Sequence, residues 1–145
     1  MNISRSFNRS GFPGAVATAI ALAIFSTLAF GDEIKVKLSG DSEVPPVTTA
    51  AAGAGTVTIN PDMSVSGGVT TTGVKGTMAH IHMAAAGKNG PVIVPLVQKG
   101  DNGWSVPDGA KLTEAQYQAY KAGDLYINVH SAENKGGEIR GQLMP

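Results

Sequence analysis

Residues 124–143 read DLYINVHSAENKGGEIRGQL, and this stretch decides the fold. Apolar residues stand at every second position from Leu125 to Val129, which is the period-two pattern of a half-buried strand. The residues Asn-Lys-Gly-Gly at 134–137 are typical of a tight turn, and a second alternating segment follows at 138–143. The stretch therefore predicts an antiparallel hairpin.

The same alternation recurs along most of the chain, between turns rich in Gly, Pro and Asn. Further strands are predicted at 33–38, 56–59, 64–74, 79–83 and 92–97. Pro95 interrupts the nearly continuous apolar run at 92–97, which predicts a buried strand with a bulge or a sheet-edge position at the proline. The segment 43–47 holds two prolines and is expected to be extended, at an edge or in a connection.

One short helix is marked by its terminal residues. Thr113 is expected to cap a helix over 114–122, with Gln116 completing a capping box and Gly123 adopting the left-handed conformation after the last turn. Seven or eight short strands, with turns about every 8–12 residues, predict an all-β antiparallel fold. The expected architecture is a Greek-key barrel or an immunoglobulin-like sandwich, with the helix inserted in a strand connection.

The first 31 residues are expected to be a secretory signal peptide. Arg5 and Arg9 precede an Ala-rich apolar run at 15–30, and small residues at 29 and 31 suit cleavage before Asp32. The alternative is a retained membrane anchor, but a spanning helix needs about 20 apolar residues and no basic stop signal follows this run. Residues 32–145 are then a single domain without a membrane anchor, periplasmic or secreted.

Charge and composition argue against several classes of function. Residues 32–145 hold nine of the eleven basic residues and all eleven acidic residues, a net charge of −2, which disfavours binding to nucleic acid or to an anionic membrane. The chain has no cysteine, so disulfides and thiolate ligands are excluded and the domain depends on its hydrophobic core. The sequence contains neither a phosphate-binding glycine motif nor a serine nucleophile elbow.

The three histidines of the chain have the clearest chemical meaning. His80 and His82 stand two residues apart in a predicted strand, so both side chains project from the same face. His130 ends the predicted strand at 124–130, on the face opposite its apolar residues. Parity places all three on the polar exterior of the barrel, where they converge on a metal ion if their two strands are neighbours. The alternative is a solvated polar face without a metal.

The donor set favours copper or zinc, because imidazole binds both and thiolate is absent. Met78 shares the face of His80 and His82 and is a candidate thioether ligand for Cu(I), with packing as its simpler role. Glu138 is a candidate acceptor that orients a ligand histidine, or a partner for Arg140 in an exposed ion pair. Because neutral imidazole binds metal, the affinity should fall as pH drops through about 6.5.

Several motifs resemble the CHRD domain, a module that is repeated in chordin and occurs as a single secreted domain in many bacteria. The resemblance runs from about residue 34 to residue 143, and the final hairpin is its most specific part. It is carried by Leu-Ser-Gly at 38–40, Glu-Val-Pro-Pro-Val at 43–47, Ala-His-Ile-His at 79–82, Gly-Lys-Asn-Gly-Pro-Val at 87–92, Trp104, Leu-Thr at 112–113, and the stretches 122–131 and 137–143. Ser131 and the residues at 133–135 depart from what the family often has.

The resemblance implies an immunoglobulin-like or Greek-key β-barrel and says less about activity. The histidines of Ala-His-Ile-His and Asn-Val-His belong to the family motif, which makes copper binding an expectation for bacterial members. The layout is also similar to that of copper/zinc superoxide dismutase, another Greek-key barrel with His-x-His on an outer strand face. That likeness is an analogy of fold, and a fold alone does not carry a function.

Three functions are compatible with these residues. The leading hypothesis is a secreted or periplasmic copper-binding domain for storage, transfer or buffering, with His80, His82 and His130 as ligands and Met78 or water in a fourth position. The second is a structural or interaction module without metal, whose partners are other periplasmic or extracellular proteins. The third is a superoxide dismutase-like copper enzyme, which ranks lowest because neither a general base nor an anion-steering basic residue stands out. The oligomeric state is left open.

Overall fold

The computed structural model describes residues 1–2 and 30–145. The predicted signal peptide therefore lies almost entirely outside the described residues. Within the described residues, we find no helix with the length and apolar character that a membrane crossing requires.

The described part of the chain forms nine strands and one α-helix. The strands are β1 (Asp32–Ser39), β2 (Ala52–Ile59), β3 (Val65–Thr72), β4 (Gly76–Met83), β5 (Val92–Pro95), β6 (Val97–Lys99), β7 (Gly103–Ser105), β8 (Leu125–Ser131) and β9 (Ile139–Leu143), and the helix α1 (Glu114–Lys121) lies between β7 and β8. All nine join one sheet in the order β5-β4-β8-β9-β1-β2-β3-β7-β6, and every pairing is antiparallel. The predicted all-β antiparallel fold with one inserted helix is confirmed.

The two ends of this sheet meet, and the sheet nearly closes into a barrel. β5 and β6 are the edge strands of the sheet, but only Leu96 separates them along the chain. The Leu96 amide donates to the Ala79 carbonyl on β4 over 2.9 Å, which ties the bend to the barrel wall. Of the two predicted architectures, the structure is therefore the barrel.

The segment 92–99 differs from the predicted single buried strand. It forms two short strands, and together with β7 they raise the described number from seven or eight to nine. Val94 is buried, but Val92 and Val97 are 46% and 45% exposed. The apolar run is thus an alternating edge with one side in solvent, and Pro95 occupies the edge position that its missing N–H favours.

The core follows the predicted alternation. In β8, Leu125, Ile127 and Val129 are fully buried, and they share the apolar core with Ile81 of β4 and Ile139 of β9. These three strands lie side by side in the sheet, so their inward residues form one continuous apolar layer.

The polar residues of β8 lie on the outer face of the barrel, as parity predicts, but this face is covered. Tyr126, Asn128 and His130 are only 2%, 2% and 7% exposed. Asn89 Nδ2 donates to the Val44 carbonyl over 2.8 Å, which joins the loop after β4 to the loop after β1. Alternation predicts the side that a residue faces, but it does not predict whether a distant loop covers that side.

The helix is built as its sequence predicts. Thr113 Oγ1 accepts from the Gln116 amide at 3.2 Å, and the Thr113 amide donates to Gln116 Oε1 at 2.9 Å, completing the capping box. Gly123 has a φ of 78°, the left-handed conformation that glycine adopts without strain. The helix ends one residue earlier than predicted. The Tyr120 hydroxyl donates to Asp32 Oδ2 at 2.9 Å and fixes the helix against the start of β1.

We expect Ile127→Ala to lower the free energy of unfolding by about 2–5 kcal/mol, because this side chain is fully buried and its loss leaves a cavity. Val92→Ala in the exposed edge strand is the control and should change the stability by less than about 0.5 kcal/mol. Urea unfolding followed by circular dichroism measures both. A loss from Val92→Ala as large as that from Ile127→Ala would contradict the exposure of Val92 at the sheet edge.

Candidate metal centre

The strands that carry the histidines are neighbours, which the sequence left open. β4 and β8 pair antiparallel, and side chains of directly opposed residues project from the same face of a sheet. The opposed residues on the outer face are Met78 with His130, His80 with Asn128, and His82 with Tyr126. The covered outer face therefore carries all three imidazoles.

The three imidazoles meet at one point. One nitrogen from each of His80, His82 and His130 lies within 4.8 Å of the other two. The closest pair is His80 Nδ1 and His130 Nε2, which are hydrogen-bonded at 3.0 Å. The predicted convergence of the rings is confirmed, while their action as metal ligands stays a prediction.

Backbone carbonyls fix the orientation of two of these rings. His130 Nδ1 lies 2.8 Å from the Lys135 carbonyl oxygen, and His82 Nδ1 lies 2.9 Å from the Gly90 carbonyl oxygen. A carbonyl only accepts, so each Nδ1 carries the proton and each Nε2 keeps a lone pair. His82 Nε2 is buried and has no hydrogen-bond partner among the described residues.

This arrangement fits a transition-metal ion. Nitrogen ligands at about 2.0–2.1 Å from a tetrahedral ion lie roughly 3.3 Å from each other, and His80 Nδ1 and His130 Nε2 are already 3.0 Å apart. An ion between them would replace the proton that they share, and His82 Nε2 would complete a set of three neutral nitrogens. The choice of metal then follows from ligand chemistry rather than from the geometry.

Burial favours the neutral form of two of the histidines. Desolvation is the main cause that lowers the pKa of His80, and the neighbouring His130 and His82 lower it further. Desolvation also lowers the pKa of His82, against the hydrogen bond to the Gly90 carbonyl and the neighbouring Asn128 side chain, which raise it. Neutral imidazole is the ligand form, so both pKa shifts favour metal binding at neutral pH.

A stack of three side chains supports His82. Its ring lies 4° from parallel to that of Tyr126, with centroids 4.8 Å apart, and the Arg140 guanidinium carbon lies 3.4 Å from the Tyr126 centroid. His82 belongs to the strand on one side of β8 and Arg140 to the strand on the other, so Tyr126 lies between them.

Arg140 also holds the loop that orients His82. The side chain is 1% exposed, and Nη2 donates to the Lys88 carbonyl at 2.7 Å while Nη1 donates to Asn89 Oδ1 at 3.2 Å. Gly90, whose carbonyl accepts from His82, is the next residue in the chain. A buried guanidinium thus secures the loop over the histidines through charge-assisted hydrogen bonds.

Glu43 belongs to this polar layer, and the sequence did not reveal it. The segment 43–47 was predicted only as an extended connection, but the Glu43 side chain is 4% exposed. Burial raises the pKa of this carboxyl to about 7, against the opposing charge of Arg140. Gly137 makes room for it, because a Cβ at that position would collide with Glu43 Oε1. The Gly-Gly pair at 136–137 is a signal of close approach that turn chemistry explains equally well.

Met78 and Glu138 are the other two residues that the sequence assigns to the centre. Met78 shares the face of the histidines through its pairing with His130, but it is 50% exposed. Glu138 Oε1 accepts a hydrogen bond from Thr49 Oγ1 at 2.7 Å. The orienting contacts to His82 and His130 come from backbone carbonyls. The fourth-ligand role of Met78 and the orienting role of Glu138 stay predictions.

Fold and site together define a class of protein, a small antiparallel β-barrel with three histidines on a face covered by loops. The family model of the CHRD domain matches residues 34–143, which is most of the chain, and the chain therefore belongs to the CHRD domain family. The resemblance seen in the sequence motifs is confirmed. Neither a curated protein nor a solved structure matches the chain.

Glu43→Gln should flatten the pH dependence of stability. Because burial raises the pKa of Glu43 from 4.5 to about 7, the folded protein binds this proton more tightly than the unfolded chain does. The stabilising contribution of Glu43 is complete below a pH of about 4.5 and is lost as pH rises through about 7. Relative to wild type, the metal-free variant should gain up to about 3 kcal/mol as the pH rises through this window.

Urea unfolding in the presence of a chelator, at several pH values, measures this difference. Glu33→Gln removes an exposed carboxylate of β1 and is the control, which should leave the pH dependence unchanged. A difference between Glu43→Gln and wild type that stays constant across the window would contradict the assignment.

Proposed function

We propose that this chain is a secreted or periplasmic CHRD domain that binds copper through His80, His82 and His130 and that stores, buffers or transfers the ion. The observation that carries the proposal is the buried lone pair of His82 Nε2, which adjoins the His80–His130 pair and has no hydrogen-bond partner among the described residues. Leaving a buried acceptor unpaired costs about 1–3 kcal/mol. A cation bound at this point removes that cost.

Ligand chemistry supports copper. The cluster offers three imidazoles, and thiolate is excluded because the chain has no cysteine. Among divalent first-row ions, Cu(II) binds nitrogen ligands most tightly, and zinc is the second candidate for a four-coordinate site with one open position. Met78, on the same face, is the sulfur that the sequence predicts for a fourth position.

Unequal burial of the ligands supports exchange of the ion. His82 and His130 are buried and are held by backbone carbonyls, whereas His80 is half-buried and its described hydrogen bond is to His130. An ion can therefore enter and leave past His80, beside the exposed Met78, while the other two rings keep their positions. Fixed ligands on one side and an accessible ligand on the other suit storage and transfer.

Export is supported by residues 1–31, where two arginines precede an Ala-rich apolar run and small residues flank a cleavage position before Asp32. An exported domain meets copper outside the cytosol. Intact mass and N-terminal sequencing of protein recovered from an exporting cell test this part of the proposal, and a chain that begins at Met1 would contradict it.

Removing the metal-binding nitrogens should abolish tight copper binding. In His82→Asn and His130→Asn, the shorter amide keeps a donor for the Gly90 or Lys135 carbonyl but lacks Nε2. Each should weaken Cu(II) binding by more than about 100-fold, beyond the effect of losing an outer partner of a metal site. The triple variant H80A/H82A/H130A should lose binding altogether.

Competition against a chromophoric chelator measures these affinities, and circular dichroism checks the fold. Gln118→Ala, on the exposed side of α1, is the control and should bind as wild type does. Equal affinity of the triple variant and wild type for Cu(I) and Cu(II) would overturn the proposal. Failure of the wild type to bind either ion would do the same and would direct attention to the metal-free interaction module.

Acid should release the metal. The affinity of wild type should fall as the pH drops below about 6.5, because protons then compete with the ion for imidazole nitrogens. The lowered pKa values of His80 and His82 move the onset of that competition below the value of a free histidine. Chelator competition over a pH series measures the onset. Weakening that is already complete at neutral pH would contradict the assigned ligands.

A further inference from the structure

Asn128 occupies the remaining corner of the histidine cluster. It lies directly opposite His80 across the β4–β8 pair, and it stands two residues before His130 on the same face of β8. The outer face thus presents two neighbouring pairs, His80 and His82 on one strand and Asn128 and His130 on the next. An ion held by the three imidazoles lies next to the Asn128 amide.

The surroundings orient this amide. Asn128 Nδ2 lies 3.4 Å from the Gly136 carbonyl oxygen, and both Nδ2 and Glu43 Oε1 border the space where a Cβ on Gly137 would stand. Nδ2 is therefore turned towards acceptors, the Gly136 carbonyl and the Glu43 carboxyl. Since the amide is planar, Oδ1 is turned to the opposite side.

Asn128 Oδ1 is an unpaired acceptor beside a second unpaired acceptor. The side chain is 2% exposed, and Oδ1 has no hydrogen-bond donor among the described residues. The same is true of His82 Nε2, and the two side chains are close enough to interact. Two buried lone pairs without a donor form a place for a cation or for a water molecule.

We infer that Asn128 Oδ1 is the fourth donor of the metal centre, so that the site is a set of three nitrogens and one oxygen that prefers a divalent ion, Cu(II) or Zn(II), over Cu(I). The inference rests on the proposed metal-binding function. A neutral oxygen is a hard ligand that suits divalent ions, whereas Cu(I) prefers sulfur. Met78 is the sulfur of this face, and its 50% exposure places it at the entrance rather than at the centre.

Two variants test the donor set. Asn128→Ala removes the oxygen and should weaken Cu(II) and Zn(II) binding by about 10- to 100-fold while changing Cu(I) affinity little. Met78→Leu removes the sulfur of the same face and tests the competing ligand, and it should weaken divalent binding less than Asn128→Ala does. Gln118→Ala, on the exposed side of α1, is the control and should leave all three affinities near those of wild type. The electron paramagnetic resonance spectrum of bound Cu(II) should change in Asn128→Ala and not in Met78→Leu, because it reports the ligands of the ion rather than the stability of the fold.

A measurement on unaltered protein keeps the test independent of how well a variant folds. Addition of Zn(II) to isotope-labelled protein should shift the side-chain carbonyl carbon resonance of Asn128 downfield, since coordination through oxygen polarises the C=O bond. The side-chain amide of Gln142 donates to the Ala84 and Gly123 carbonyls and serves as the internal reference. Its carbonyl resonance should move much less.

The outcomes separate this inference from the function on which it rests. An unchanged affinity and spectrum in Asn128→Ala, with no selective shift at Asn128, would overturn the assignment in favour of a water ligand. A larger effect in Met78→Leu than in Asn128→Ala would overturn it in favour of sulfur. If the wild type binds no metal, the proposed function fails first, and His82→Asn then has no effect on binding either.

Discussion

Strand β8 is buried on both faces, and the rest of the structure depends on this constraint. Its inward residues need only apolar neighbours, but Asn128 and His130 on the outward face carry polar atoms that must find partners away from water. Loop carbonyls accept from Asn128 Nδ2 and His130 Nδ1, whereas Asn128 Oδ1 has no donor among the described residues. The Gly90 carbonyl accepts from His82 of the neighbouring β4, and the Lys135 carbonyl accepts from His130. The loops that cover the outer face therefore also orient two of its histidines.

This cover couples the histidines to residues that are distant in sequence. Arg140 of β9 secures the loop that presents the Gly90 carbonyl, and it stacks on Tyr126, which packs in turn on His82. Rings that are held by packing and by fixed acceptors lose little freedom when they bind an ion. Most of the interaction free energy then remains available for affinity, which is the advantage of a preformed site over one built on a mobile loop.

Local patterns account for the parts of this structure that depend on local geometry. Parity places His80, His82 and His130 on the polar side of their strands, because side-chain direction in a strand is set residue by residue. The pairing of β4 with β8 is a long-range property, because residues 84–124 lie between the two strands. Turn motifs predict pairing only between strands that are close in sequence. The burial of Glu43 against the outer face of β8 is also a long-range property. The sequence around Glu43 predicts only an extended segment and does not indicate what that segment packs against. The fold class and the face that each histidine occupies were therefore predictable, and the burial of the candidate site was not.

The distribution of unpaired polar atoms distinguishes this face from the rest of the barrel. Among the described residues, four buried side-chain atoms lack a hydrogen-bond partner: Glu43 Oε1, His82 Nε2, Trp104 Nε1 and Asn128 Oδ1. Three of the four belong to the covered face, and all three are acceptors when Glu43 is ionised. Each such atom costs about 1–3 kcal/mol, so a cluster of them persists where a ligand satisfies them. An anion would add a further acceptor to this set, whereas a cation between His82 Nε2 and Asn128 Oδ1 would satisfy both of those atoms. The polarity of this pair therefore favours a metal ion over an anionic ligand.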